Sequence, residues 1–199
     1  STHYFTFLDY EDEHIQSLFQ NFNDKKNIDY SVNILKKQNN LDHKTSINYN
    51  LLCLMLYENI KNKKNFKYLK ALSDETYCNF DHPFIDIDNY KISSDKIISL
   101  FDYEKINKFY NLNNRDKILE IGAGSGRLSE CIMSINSSIN YTICDIPPSI
   151  YIAYKRMKLR FPKKKIELLI HIEDSDELCQ EIEKNDIFFF FPHQIEIIN

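Results

Sequence analysis

Through the first half of the chain, apolar residues recur at three- and four-residue spacing. Over residues 46–61 they place Ile47, Leu51, Leu54 and Met55, with Leu56 or Tyr57, on one broad face, and over 12–22 Ile15, Leu18, Phe19 and Phe22 keep the same period. Both segments are expected to be packed helices. Between Tyr77 and Ser93 the period is lost: 78–83 reads as a connector, and 84–88 alternates apolar with acidic residues in the manner of a short strand. A further helix is expected to start at Ser94, whose hydroxyl can cap it, and to carry Ile97, Ile98, Phe101, Ile106 and Phe109 toward Tyr110.

After the polar break at 111–114 the pattern changes. Ile118-Leu119-Glu120-Ile121 is a short apolar strand, a glycine-rich turn follows, 128–135 resumes helical spacing, and Tyr141-Thr142-Ile143-Cys144 forms a second strand. This is a βαβ unit, so the two strands should lie parallel with a right-handed crossover. Pro147 and Pro148 open another helix over 149–160, and Phe161-Pro162 closes it. The third strand is either 165–171 or 186–191. The expected organisation is a mainly helical region, 1–110, acting as a lid on the acceptor side, followed by an α/β half, 111–199.

Composition narrows the function classes. The 199 residues, 43% of them hydrophobic, suffice for one large domain or two small ones. A net charge of -4, with Lys and Arg scattered, gives no nucleic-acid footprint. The longest apolar runs, 51–57 and 187–191, fall short of the roughly 20 residues a membrane span needs. No basic and apolar leader marks a secretory signal, and five cysteines without a paired motif lead to the expectation of a reducing cytoplasm. The absence of an initiator Met at Ser1 reads as an excised or incomplete chain. Cys53, Cys78, Cys131, Cys144 and Cys179 are widely spaced with no C-x-x-C pair, so small buried hydrophobes are expected rather than a zinc cage or disulfide framework.

The chain has only three glycines, and all stand in Gly122-Ala123-Gly124-Ser125-Gly126, where average usage of about 7% would give far more. Glycine permits positive φ and lets the backbone touch a ligand that a Cβ would hold off. A helix N-terminus after such a turn suits an anionic group. The dinucleotide spacing G-x-G-x-x-G fails, because its third glycine position falls on Arg127. Glu120, at the end of the first strand, would pair an ammonium group and repel a pyrophosphate. Asp145, at the end of the second, stands where an acid reaches a ribose diol; its plainer role would be to cap the helix that follows. Together these residues describe a nucleoside joined to an amino acid.

The run Ile118-Leu119-Glu120-Ile121-Gly122-Ala123-Gly124-Ser125-Gly126-Arg127 resembles motif I of the class I S-adenosylmethionine-dependent methyltransferases. Cys144-Asp145-Ile146-Pro147-Pro148, Phe191-Pro192-His193-Gln194 and the stretches Tyr77-Cys78-Asn79 and Ile92-Ser93-Ser94-Asp95 are similar to the sugar O-methyltransferase family, over most of the chain from about residue 46. The resemblance implies a Rossmann-like methyltransferase sheet, here with its first strands only, preceded by the helical region, and hence a fragment of a longer enzyme. It implies S-adenosylmethionine as cofactor, held by Glu120, Gly122, Ala123, Gly124, Ser125, Gly126, Asp145, Ile146, His193 and Gln194. It also implies methyl transfer to a hydroxyl of a small molecule or glycan.

No catalytic residue is assigned; His193 is the one histidine placed to act as a base, and a loop residue or an adenine neighbour is its commoner role. Asp86-Ile87-Asp88 echoes the D-x-D metal site of sugar-nucleotide glycosyltransferases, against the plainer reading of a solvated strand. A non-catalytic S-adenosylmethionine-binding module or subunit partner would share every motif above. An unfinished sheet edge would favour pairing, including with a second copy of the chain.

Overall fold

The computed structural model describes residues 43–73, 85–113, 116–170 and 174–197. All fall within one compact unit, Leu41–Asn199. The expected helix over 12–22, the connector at 78–83 and Cys78 lie outside the described residues.

Helix α1, His43–Lys61, is followed by a 3-10 turn, Lys64–Tyr68, and a one-turn helix α2, Leu69–Leu72. Of α1, Cys53, Tyr57 and Ile60 are buried, whereas Leu51, Leu54 and Met55 are exposed. The face expected for this helix is therefore displaced. Residues 51–57 are apolar almost all the way round, so periodicity fixes the helix but not which side packs.

Strands β1, Ile85–Ile87, and β2, Tyr90–Ile92, form an antiparallel hairpin. Its turn residues Asp88 and Asn89 have φ of 50° and 67°, values that Asp and Asn tolerate best after glycine. The alternation at 84–88 marks the first of these strands but not its partner. Helix α3, Ser94–Tyr110, is capped by Ser93, not Ser94: the extended Ser93 lets its Oγ accept the Lys96 N–H at 3.3 Å. Ile97, Leu100 and Tyr103 are buried, while Phe109 and Tyr110 at its C-terminal end are exposed. Asn111, at φ 49°, ends the helix.

Beyond it come β3, Lys117–Ile121; α4, Arg127–Ile135; β4, Asn140–Cys144; α5, Ser149–Arg160; β5, Ile166–Leu168; α6, Ser175–Lys184; and β6, Ile187–Phe190. Both segments offered for the third strand are strands. The four form a parallel sheet in the order β3-β4-β6-β5, with the last in sequence inserted beside β4.

Strand alternation divides the core in two. Tyr141, Ile143, Ile187, Phe189 and Ile166 join one cluster with Tyr57 and Ile60 of α1, Ile97 and Leu100 of α3, Ile132 of α4 and Met157 of α5. Cys144, Phe188 and Phe190 face the other way, onto Leu178 of α6. Helices thus cover both faces, as an α/β sheet of parallel strands requires. The first cluster draws on residues from both sides of residue 111.

Helix α6 does not cover β3. Leu119 and Ile121 are 51% and 68% exposed, and the bond from Lys117 Nζ to Glu183 Oε1, 3.1 Å, is made at the far end of the strand. Between α4 and α5, Glu130 meets Arg156 at 3.3 Å and Arg160 at 3.4 Å, with all three side chains nearly buried. Among the described residues, no helix is long and apolar enough to cross a membrane.

Candidate functional site at the carboxyl edge of the sheet

Parallel pairing brings the ends of β3 and β4 together. Ile121 lies opposite Cys144, and the register is carried one step further by the Gly122 N–H, which donates to the Cys144 carbonyl at 2.8 Å. Gly122 and Asp145 are therefore neighbours because each directly follows the last paired residue of its strand.

The turn itself is left-handed at all three glycines, with φ of 76°, 59° and 75° at Gly122, Gly124 and Gly126. Their surroundings differ. A Cβ on Gly126 would stand 3.0 Å from the Ala153 Cβ and 3.2 Å from the Met157 Cε, so this glycine lets α4 start hard against α5. A Cβ on Gly122 or Gly124 would meet nothing within 4 Å. Close packing thus explains the third glycine, while the first two border open space. Of the residues between them, Ala123 is buried and Ser125 half-buried.

Asp145 is 8% exposed. Its Oδ2 accepts the Gly124 N–H at 2.6 Å and its Oδ1 accepts the Ile146 N–H at 2.7 Å. The carboxylate therefore spans from the end of β4 to the glycine turn. The second contact, to the residue before Pro147, is local to the end of β4: α5 is entered through Pro148 with no side-chain cap, so Asp145 does not cap it. Ile146 itself is 43% exposed.

Glu120 alternates onto the α4 side of the sheet, half-buried, where its Oε2 accepts the Tyr141 hydroxyl at 3.0 Å. Burial raises its carboxyl above the ordinary 4.5, opposed by hydrogen bonds from Tyr141 and Ser129 and by the charge of Arg127. The Tyr141 hydroxyl is driven up in turn, by burial and by Glu120. Sequence reasoning missed Tyr141, although with the parallel pairing in hand its place on the same face as Glu120 could have been found.

On the other side of β4, Phe190 pairs with Cys144, so Phe191 follows β6 as Asp145 follows β4. A 3-10 turn, Pro192–Ile197, carries His193 and Gln194. Gln194 is fully buried, and its Oε1 accepts the Phe191 N–H at 2.8 Å while its Nε2 has no hydrogen-bond partner. His193 is exposed and stacks on Phe191, with ring centroids 5.8 Å apart, and Phe191 in turn meets Tyr151 of α5 edge-on at 6.1 Å. The structure thus aligns Glu120, the glycine turn, Asp145 and Phe191 along one edge of the sheet. The contacts of His193 and Gln194 are local to their own turn.

Elsewhere the chemistry is structural. Asp88 Oδ2 accepts the Tyr57 hydroxyl at 2.9 Å and meets Lys61 Nζ at 3.3 Å, which ties the hairpin to α1. Those partners give Asp88 a packing role, while Asp86 is exposed. No group of three His, Cys, Asp or Glu side chains among the described residues is placed to hold a metal ion. Cys53, Cys131 and Cys144 are buried thiols, but Cys179 is exposed, against expectation, because it falls on the outer side of α6. A cavity of about 10 Å³ among α3, α4 and α5, bordered by Lys96, Glu130 and Arg156, has room for little more than a water molecule. Compared with models of known families, with curated proteins and with solved structures, the chain matches none.

Proposed function

We propose that this chain binds S-adenosylmethionine at the glycine turn and forms the cofactor half of a class I methyltransferase that acts on a hydroxyl of a sugar or glycan. One observation carries the reading: open space lies over Gly122 and Gly124, bordered by the Asp145 carboxylate from the next strand. Ligands of open α/β sheets bind at this carboxyl edge. A ligand with a diol suits Asp145, whose oxygens keep further lone pairs after accepting the two backbone N–H groups. A ligand with an ammonium group suits Glu120, because burial disfavours its ionised form and a cation would stabilise it.

When bound, the cofactor would supply an electrophilic methyl group. The residues described here would bind and orient it, and positioning is the larger part of catalysis in a displacement of this kind. On this reading the four strands are the first part of a Rossmann-like methyltransferase sheet, and the sugar acceptor rests on the resemblance of the segments around Asp145 and Phe191.

Calorimetry with S-adenosylmethionine and S-adenosylhomocysteine tests the site. Gly124→Val should abolish binding in a folded protein, because its methyl groups would enter the open space and its backbone would resist positive φ. Asp145→Ala should cost about 1.5–3 kcal/mol, roughly tenfold to a hundredfold in affinity. Unchanged affinity in folded Gly124→Val would refute the site. Transfer of labelled methyl to a panel of glycans by the full-length protein tests the activity, and binding without transfer would favour a non-catalytic module.

A further inference from the structure

Asp145 has a second task, visible in what holds the glycine turn. Glycine loses more backbone freedom on ordering than any other residue, and nothing packs where a side chain on Gly124 would stand. Gly122 is tethered through its N–H to Cys144, and Gly126 through its N–H to Ala123 at 3.0 Å. Between these tethers, Gly124 sits at φ 59° with its N–H on Asp145 Oδ2 at 2.6 Å. The carboxylate is itself held, since its other oxygen takes the Ile146 N–H at 2.7 Å and only 8% of the residue is exposed. A short bond from a peptide N–H to a nearly buried carboxyl oxygen is among the stronger hydrogen bonds available to a backbone.

We propose that Asp145 is a positioning residue that sets the conformation of the glycine turn through the Gly124 N–H before any ligand arrives. Its carboxylate couples the end of β4 to the turn after β3, so the turn is preorganised. The Gly124 N–H is already engaged and is not a vacant donor for an anionic group. Loss of Asp145 therefore loosens the turn for every ligand that lies against it, including one without hydroxyls for the carboxylate to accept. Only this last consequence rests on the cofactor reading above.

Because the chain holds just three glycines, [15N]glycine labelling gives three backbone cross-peaks that all report on this turn. In the unaltered chain, the Gly124 amide should be shifted downfield and protected from hydrogen exchange. In Asp145→Ala it should move upfield and lose that protection, while Gly122, bonded to Cys144, keeps its own. Free exchange of Gly124 in the unaltered chain would overturn the proposal, as would an unmoved Gly124 signal in folded Asp145→Ala. If that variant does not fold, exchange in the unaltered chain decides alone.

A second measurement compares the affinity of S-adenosylhomocysteine with that of its 2′,3′-dideoxyribose analogue. Positioning requires Asp145→Ala to weaken both, the analogue by about tenfold or more. A loss confined to the parent compound would reduce Asp145 to a direct contact and overturn the coupling. Should neither ligand bind the unaltered chain, the cofactor reading fails, while glycine exchange still decides the role of Asp145.

Discussion

Glu120 stands where burial opposes ionisation, and this sets the sign of its effect on stability. Its folded-state pKa is raised above the ordinary 4.5 by burial. From pH 4.5 up to that raised value the folded chain holds the proton more tightly than the unfolded one, so the contribution of Glu120 to stability falls as pH rises through this window and stays lost above it. Glu120→Gln, which keeps an acceptor for Tyr141, should therefore gain stability relative to the unaltered chain between pH 4 and pH 8, as read by urea denaturation, while losing affinity for a cationic ligand. An equal stability difference at both pH values would show that desolvation of Glu120 is not the cause. The glycines divide in the same way. Gly126→Ala meets Ala153 and Met157 and should cost about 1–3 kcal/mol for crowding beyond the roughly 1–2 kcal/mol of a left-handed backbone. Gly124→Ala should cost only the latter, and denaturation of the two variants separates the terms. At this scale the glycine turn could be read from the sequence because the need for positive φ is written into residue identity, and the place of Asp145 because it directly follows a strand. The bond from Tyr141 to Glu120 was missed, since beyond the parallel pairing it depends on the register of β3 against β4.

Among the elements, those with one clear stripe were legible and those with several were not. Helix α5 begins and ends where Pro148 and Phe161 place it. Helix α3 lies one residue from its expected cap, because Ser93 and Ser94 are equivalent in composition and only the extended backbone at Ser93 selects it. Helix α1 offered too many apolar residues, and the ones it buries are set by the fit of Tyr57 and Ile60 against the rest of the core. Met55, at 72% exposure, should accordingly tolerate replacement by Lys within about 0.5 kcal/mol. Glu130→Ala should be far more costly. It leaves Arg156 and Arg160 without the carboxylate they share, and losing one side of a buried ionic cluster costs on the order of 3–5 kcal/mol. Comparing the thermal unfolding of the two variants checks both, and equal losses would mean that burial has been misjudged at one of the helices.

The order of the sheet was the least legible feature of the whole molecule, because it turns on where β6 inserts. Both candidate strands were visible in the sequence, but nothing in an unbroken apolar run names its neighbours. The same run has a physical consequence for assembly. Ile187 and Phe189 face one core while Phe188 and Phe190 face the other, so sliding β6 by one residue would exchange one large apolar side chain for another on both faces. Polarity, which pins most strands, gives this one almost no preferred register. The pinning comes from its ends. Asp186 accepts Lys164 Nζ at 2.9 Å and the Lys165 N–H at 2.8 Å, and Gln194 accepts the Phe191 N–H at the other end. Asp186→Ala should therefore populate slipped sheets and flatten the urea unfolding transition, with a smaller m-value; a transition as steep as that of the unaltered chain would show the aromatic packing alone to be sufficient. A single slip carries whatever follows the strand along by about 3.3 Å, which would draw Phe191 away from its place level with Asp145. The alignment of the carboxyl edge is thus set in part from the opposite end of β6, by the Asp186 carboxylate.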